Sequence, residues 1–247
     1  MMSSSTHPLE VKYRRARLFN VVLGVVVVFL GIVLAAQLLP GPNPTTASSQ
    51  DSGESPHSGS GTGELGYVRR DRDDAMAIGA LEAPVVLAEW TDLRCPFCAV
   101  FSRETLPVLI KEYVDTGKVR IEFHDVAFFG EGSEDAAVAA RAAARQDRFL
   151  EFVTAVYDGA PQGSHPDLPR EVLTAFAEQA GVLDMRRFDA DLDDPALRTA
   201  VQDSTRSAQQ LGVTSVPFFV AGDRAVAGAH PIDTFRALLD AALDQAG

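Results

Sequence analysis

Apolar residues run almost unbroken from Phe19 to Leu39, 21 positions without a charge, with Asn20 and Gln37 the only strongly polar members. A helix rising about 1.5 Å per residue would carry this run across roughly 30 Å, the thickness of a bilayer core. The run therefore predicts a single transmembrane helix over 19–39. A cleaved signal peptide is the competing reading. Its apolar core would be unusually long, and no clean small-x-small site follows, since cleavage after Ala36 would put Leu34 three positions before the cut. Of the next 24 residues, 40–63, 18 are Pro, Gly, Ser or Thr. That composition cannot bury a core and reads as a flexible linker.

From 64 to 247 the pattern is that of one folded domain. Val85-Val86-Leu87-Ala88, after Pro84, predicts a buried strand reaching towards Trp90. Helical spacing follows at Phe97, Val100, Phe101 and 108–110, with a kink expected at Pro107 and a left-handed cap at Gly117. The alternation of 119–123 predicts a second strand, which completes a βαβ unit. No convincing strand signal appears from there to Leu211. Residues 136–156 are Ala-rich, with Phe149, Phe152, Val153 and Val156 on one stripe. Pro169 opens another helix that runs to about Ala180, and 195–211 form a third. These helices predict an all-helical insert over about 134–211. Strand signals return at 218–220, a turn at Gly222-Asp223 leads to 225–227, and an amphipathic helix carries Ile232, Phe235, Leu239 and Ala242. The order βαβ, helical insert, ββα places helices against a mixed sheet, an α/β class.

Charge adds orientation and removes one class of partner. With 22 basic and 34 acidic side chains the net charge is −12, which argues against nucleic acid as the main partner. Lys12, Arg14, Arg15 and Arg17 all precede the apolar run, and the first charge after it is Asp51. The positive-inside bias keeps 1–18 in the cytoplasm and places 40–247 outside. The expected location is the cell membrane, single-pass, with the C-terminal domain extracytoplasmic.

Two cysteines exclude a multi-disulfide scaffold. Cys95 and Cys98 flank Pro96 and Phe97 at the junction of the first strand and its helix. At a helix N-terminus, unpaired N–H groups and the dipole favour a thiolate at Cys95, while Cys98 lies one turn in and is more buried. A thiolate outside and a thiol within reach suit disulfide exchange: the outer sulfur attacks or is attacked, and the inner one resolves the mixed disulfide. Pro96 fits a first turn that needs no N–H partner. A structural disulfide closing so short a loop would stabilise little. A structural zinc or copper site wants ligands beyond this pair, and the five histidines show no HxxxH pairing. Val216-Pro217 stands just before a strand, where a cis bond and an ordinary trans bond both fit.

Residues 89–98, Glu-Trp-Thr-Asp-Leu-Arg-Cys-Pro-Phe-Cys, together with Val216-Pro217, resemble the DsbA-like branch of the thioredoxin superfamily. The resemblance covers roughly 75–247, including the insert, and residues 74–84 are similar to the lead-in of membrane-anchored, actinobacterial-type members. It implies a thioredoxin-like fold with an inserted helical subdomain behind a single transmembrane helix. It implies Cys95 as nucleophile, Cys98 as the resolving cysteine and Cys95–Cys98 as a redox-active disulfide. It further implies a cis Pro217 facing the pair, with the Val216 backbone docking substrate. Glu89 falls where the family has a buried acid that relays the inner cysteine's proton; the bland alternative is a strand-edge carboxylate in water. Phe97 occupies the position of a histidine that stabilises the thiolate in the best-known oxidases, whereas Val216 resembles the oxidase side of the superfamily. Phe97, Phe101, Phe128 and Phe129 are groove candidates, of which only Phe97, on the motif loop, is expected to be exposed.

The expected activity is that of an extracytoplasmic thiol-disulfide oxidoreductase donating disulfides to exported proteins with free thiols. The resemblance suggests a membrane reoxidase of the DsbB or vitamin K epoxide reductase type, no soluble cofactor and no metal, with a tethered monomer the default state. A reductase or isomerase of the same fold is the alternative, and a non-catalytic chaperone or binding module a more distant one.

Overall fold

The computed structural model describes residues 66–247 apart from Gln162. The expected basic N-terminus, anchor at 19–39 and linker at 40–63 all lie outside these residues. Among the described residues no helix is long and apolar enough to cross a membrane.

The sheet is built around one buried strand. Strand β1 covers Ala77–Ile78, β2 Val85–Thr91, β3 Val119–Asp125, β4 Phe218–Ala221 and β5 Arg224–Ala227, in the spatial order β1-β3-β2-β4-β5. β2 runs parallel to β3, pairing Val85 with Val119 through to Thr91 with Asp125. On its other side it runs antiparallel to β4, pairing Trp90 with Phe218 and Leu87 with Ala221. All seven β2 residues are buried. The strand extends past its apolar run because neighbours on both sides cover Glu89 and Thr91 as fully as Leu87. β1 pairs antiparallel with β3 and is too short to leave an alternation in the sequence.

Helix α1, Pro96–Glu104, starts directly beyond β2, and α2, Leu106–Leu109, follows after a break at Thr105. The expected kink falls there because Pro107 has no N–H to offer the preceding turn. A π-helical turn, Ile110–Val114, completes the crossover, with Asp115 N–H donating to Ile110 O at 2.8 Å, and Gly117 at φ 72° turns the chain into β3.

The insert consists of α3 Glu131–Ala144, α4 Phe149–Gly159, α5 Arg170–Gln179, α6 Met185–Asp191 and α7 Pro195–Gln210. The single stretch read over 136–156 is two helices. Asp147 at φ 57° breaks it, and Arg148 N–H caps Ala143 O at 3.0 Å. α3 packs alanines almost all round, while α4 buries the Phe149, Phe152, Val153 and Val156 stripe. α6 is too short to show a period and is held by Asp184 accepting from Arg187 N–H.

The insert grips the end of β3 nearest the cysteines. Arg141 of α3 makes a two-pronged pair with Asp125 at 2.6 and 2.7 Å, and Ser204 of α7 donates to Asp125 O at 2.7 Å. Helix α8, Ile232–Ala246, closes the fold. Its Phe235 packs with Phe101 of α1 and Phe219 of β4 at ring separations of 4.8–5.1 Å. Phe101 is therefore core and borders no groove. The polar side chains of β3 do not face water: Arg120 and Glu122 pair with each other at 3.0 Å, and Glu122 also accepts from Arg69 and Arg70 N–H.

Candidate active site

Cys95 is the N-cap of α1, in extended conformation, with Pro96 opening the helix. Its sulfur accepts from Cys98 N–H at 3.4 Å, the bond a capping oxygen would ordinarily make. Both cysteines are thiols here. Cys95 is less open than an outer nucleophile would suggest: it is 3% exposed, against 0% for Cys98. The covering comes from residue 216, because the Cys95 thiol donates to Val216 O at 3.4 Å. The Val216–Pro217 peptide is cis, and Pro217 O accepts from Gly228 N–H at 2.7 Å, tying the loop to the end of β5.

The two thiols are pushed apart in acidity. Cys95 is lowered, first by the hydrogen bond from the Cys98 thiol and then by the N–H groups of Cys98 and Phe97, while burial and the Asp92 charge oppose this. Cys98 is raised well above an ordinary thiol, first by burial and then by the neighbouring Cys95 sulfur. Such a separation assigns different protonation states to two otherwise identical groups.

β2 supplies the floor. Alternation puts Glu89 and Thr91 on one face and Trp90 on the other, where Trp90 stacks on His124 at 4.8 Å. Glu89 is 2% exposed, so the water-facing reading does not hold. Burial pushes its carboxyl up to about 8, with the Thr91 hydroxyl opposing, and its Oε2 has no hydrogen-bond partner. A carboxyl in that state is a neutral acid at neutral pH.

Thr91, Asp92 and Arg94 of the motif, to which the sequence assigned no role, join the site together with Tyr157 and His165 from the insert. Asp92 is buried and accepts from Arg94 N–H at 2.9 Å and Phe128 N–H at 2.8 Å, bracing the motif loop against the segment after β3. The Arg94 guanidinium donates to Phe129 O and Pro166 O, and His165 Nδ1 bonds Arg94 O at 2.9 Å. Tyr157 of α4 meets Thr91 Oγ1 at 2.6 Å. Strand parity marks Thr91 as facing with Glu89, but nothing in the sequence places Tyr157 there.

Phe97 is 63% exposed on the motif loop, as expected of that residue. Phe129 is 37% exposed with its ring 4.1 Å from that of His165, so a second aromatic reaches the surface near the motif. Phe128 is half-buried. Among the described residues no cluster of three His, Cys, Asp or Glu is arranged to hold a metal ion.

Comparison with known proteins agrees with this chemistry. The family model described as Thioredoxin matches residues 71–241. A probable disulfide bond formation protein D from Bacillus anthracis is 30% identical over 145 residues, covering 58% of this chain and 67% of that protein. Disulfide bond formation protein D of Bacillus subtilis is 24% identical over 151 residues, 60% of this chain and 68% of the relative. The crystal structure of oxidised BdbD from Bacillus subtilis superposes with a TM-score of 0.64 at 23% identity, over 68% of this chain and 92% of that one.

Proposed function

The chain belongs to the thioredoxin family and is a protein-disulfide oxidoreductase of the DsbA-like kind, and on that premise we propose that it donates the Cys95–Cys98 disulfide to exported proteins outside the cytoplasm. The observation that carries disulfide exchange is the N-cap geometry of Cys95, whose sulfur receives the Cys98 N–H at 3.4 Å, and Val216 before the cis proline, which resembles the oxidase side, supports donation.

A client thiolate attacks Cys95 Sγ. The Cys95–Cys98 bond breaks, and Cys98 takes the electron pair. A buried thiolate at Cys98 is costly and needs a proton at once. Glu89, neutral at neutral pH and on the same face of β2 as Thr91, supplies it. The client's second thiolate then attacks its own sulfur in the mixed disulfide. Cys95 leaves as a thiolate stabilised by the helix N-terminus, and a thiol of lowered pKa leaves faster. The client departs oxidised, and two electrons remain on the pair.

Regeneration requires an oxidant. We assign this to a membrane reoxidase of the DsbB or vitamin K epoxide reductase type. The uncharged run 19–39 and the basic residues before it support a tether that keeps the domain beside such a partner. Exposed Phe97, with the Val216 backbone, offers extended client chain an apolar contact beside the sulfur.

The deciding experiment is the reduction potential of the full chain in glutathione buffers, read by mass shift after thiol alkylation. A value towards about −120 mV, as for DsbA, supports donation. A value near about −270 mV, as for thioredoxin, means the chain works as a reductase.

A further inference from the structure

Residues 67–71 lie across the sheet on the face opposite Glu89, and their contacts give the direction of the chain there. The Tyr67 ring meets the Trp90 ring edge-on at 5.4 Å. Arg69 and Arg70 N–H donate to Glu122, which stands opposite Ala88 in the ladder. Asp71 O accepts from Arg120, opposite Val86. The segment therefore enters at the cysteine end of β2 and runs towards its far end. Its grip does not depend on Tyr67, because the Arg69 guanidinium also donates to Phe123 O at 2.9 Å and that of Arg70 to Leu81 O and Ala83 O at 2.9 and 3.0 Å.

What the Tyr67 ring does is cover Trp90, and Trp90 in turn seats the first residue of β4. The indole lies between three rings: His124 stacked on it at 4.8 Å, and Tyr67 and Phe218 edge-on at 5.4 and 5.9 Å. Burial, with Arg69 and Arg141 adding to it, pushes His124 down to about 3, so the stack carries no charge at working pH. Trp90 and Phe218 are also partners in the ladder. Ahead of Phe218 that ladder stops. Val216 and Pro217 are then held through their carbonyls, Pro217 O by Gly228 N–H at 2.7 Å and Val216 O by the Cys95 thiol at 3.4 Å. A thiol is a weak donor, so the seat of Phe218 on Trp90 decides how closely Val216 O stays over the sulfur.

We infer that Tyr67 is a positioning residue for the client-docking loop: through Trp90 and Phe218 it holds the Val216 carbonyl against Cys95 from the opposite face of the sheet. The inference rests on the proposed docking of client chain along the Val216 backbone. Two consequences follow for a chain without that ring. The docking carbonyl is less fixed, so a client is captured less well while the chemistry after capture is unchanged. Cys95 also loses its cover and its acceptor together. The carbonyl favours the thiol, and burial of the sulfur disfavours the thiolate, so both losses act in the same direction and make Cys95 more acidic.

The test uses the full chain and two measurements, oxidation of a dithiol peptide and the pH dependence of Cys95 alkylation by iodoacetamide. Tyr67→Ala should raise KM for the peptide by about threefold to tenfold, the factor that corresponds to one lost aromatic pair. Its kcat should stay within about twofold, and the alkylation midpoint should fall by about half a unit, the loss of one weak hydrogen bond to the thiol form. Tyr67→Phe, which keeps the ring, should match the parent in both. Leu243→Ala is the control for a general loss of packing. It removes a partly buried side chain from the end of α8 where Gln245 meets Asp223, away from the loop, and should move neither KM nor the midpoint. An alkylation midpoint unchanged in Tyr67→Ala overturns the inference, as does an equal change in Leu243→Ala. Should Tyr67→Ala fail to fold, Tyr67→Val is read in its place, and a parent-like midpoint there rejects the inference. If the parent itself oxidises no peptide, the donation reading fails, and the alkylation midpoint still decides the role of Tyr67.

Discussion

The Cys95 thiol donates to the Val216 carbonyl at 3.4 Å, joining residues 121 positions apart in sequence. That carbonyl favours the thiol form, while the Cys98 thiol and the N–H groups of Cys98 and Phe97 favour the thiolate, and the second set prevails. The reactivity of Cys95 is thus a balance between a loop and a helix end.

Alkylation of Cys95 with iodoacetamide should reach half-maximal rate below the ordinary thiol value of about 8.5. Cys98→Ala should raise that midpoint, since the Cys98 thiol is the largest stabiliser of the thiolate. The sign for stability follows. A group whose folded pKa is depressed stabilises the reduced protein above about pH 8.5 and ceases to do so as pH falls through the folded value. A midpoint unchanged by Cys98→Ala would mean the N–H groups alone set the acidity.

Glu89→Gln should separate a proton-transfer role from a structural one. The carboxyl is raised from 4.5 to about 8, so its contribution to stability is fully present below pH 4.5 and is lost as pH rises through about 8. Gln, which does not ionise, should leave stability little changed at pH 4 and raise it by a few kcal/mol at pH 9. The same variant should slow release of Cys98 during client attack by about tenfold or more. Urea unfolding at the two pH values and quenched-flow trapping of the mixed disulfide read the two effects.

Phe97 is exposed, so Phe97→Ala should change stability by less than about 0.5 kcal/mol. It should weaken the capture of an unfolded client several-fold, measured as KM for a thiol-bearing peptide. Phe97→His adds a cationic group at the helix N-terminus, and should lower the Cys95 alkylation midpoint further and shift the potential towards oxidation.

Glu122 is buried and accepts from Arg120 Nε at 3.0 Å and from Arg69 and Arg70 N–H at 2.8 and 2.9 Å. Glu122→Ala leaves the buried Arg120 charge without its carboxylate, and should cost about 3–5 kcal/mol in urea unfolding. Because this cluster lies on the opposite face of the sheet from Glu89, the Cys95 alkylation midpoint should not move.

Much of the frame was legible because it is local. A proline-opened helix straight after an apolar strand places Cys95 at a helix end, and one turn separates it from Cys98. The hairpin and the closing helix also follow from periods within single segments. The split at Asp147 was hidden because apolar residues continue in phase on both sides of it. β1 and α6 escaped because two and seven residues do not make a period. Glu89 read equally well as a carboxylate in water, because a polar residue in a strand does not announce what will cover it.

The sequence by itself determined the strand–cysteine–helix junction, the proline before β4 and the helical content of the insert. Each depends on interactions that reach no further than a turn of helix or the length of a strand. Only the tertiary structure decided that Val216 would cap the nucleophile, that Glu89 would be buried to a pKa of about 8 and that Tyr157 would meet the Thr91 hydroxyl. Desolvation and long-range hydrogen bonds are set by which elements stack on one another, and that stacking brings together residues from segments whose local patterns carry no record of it.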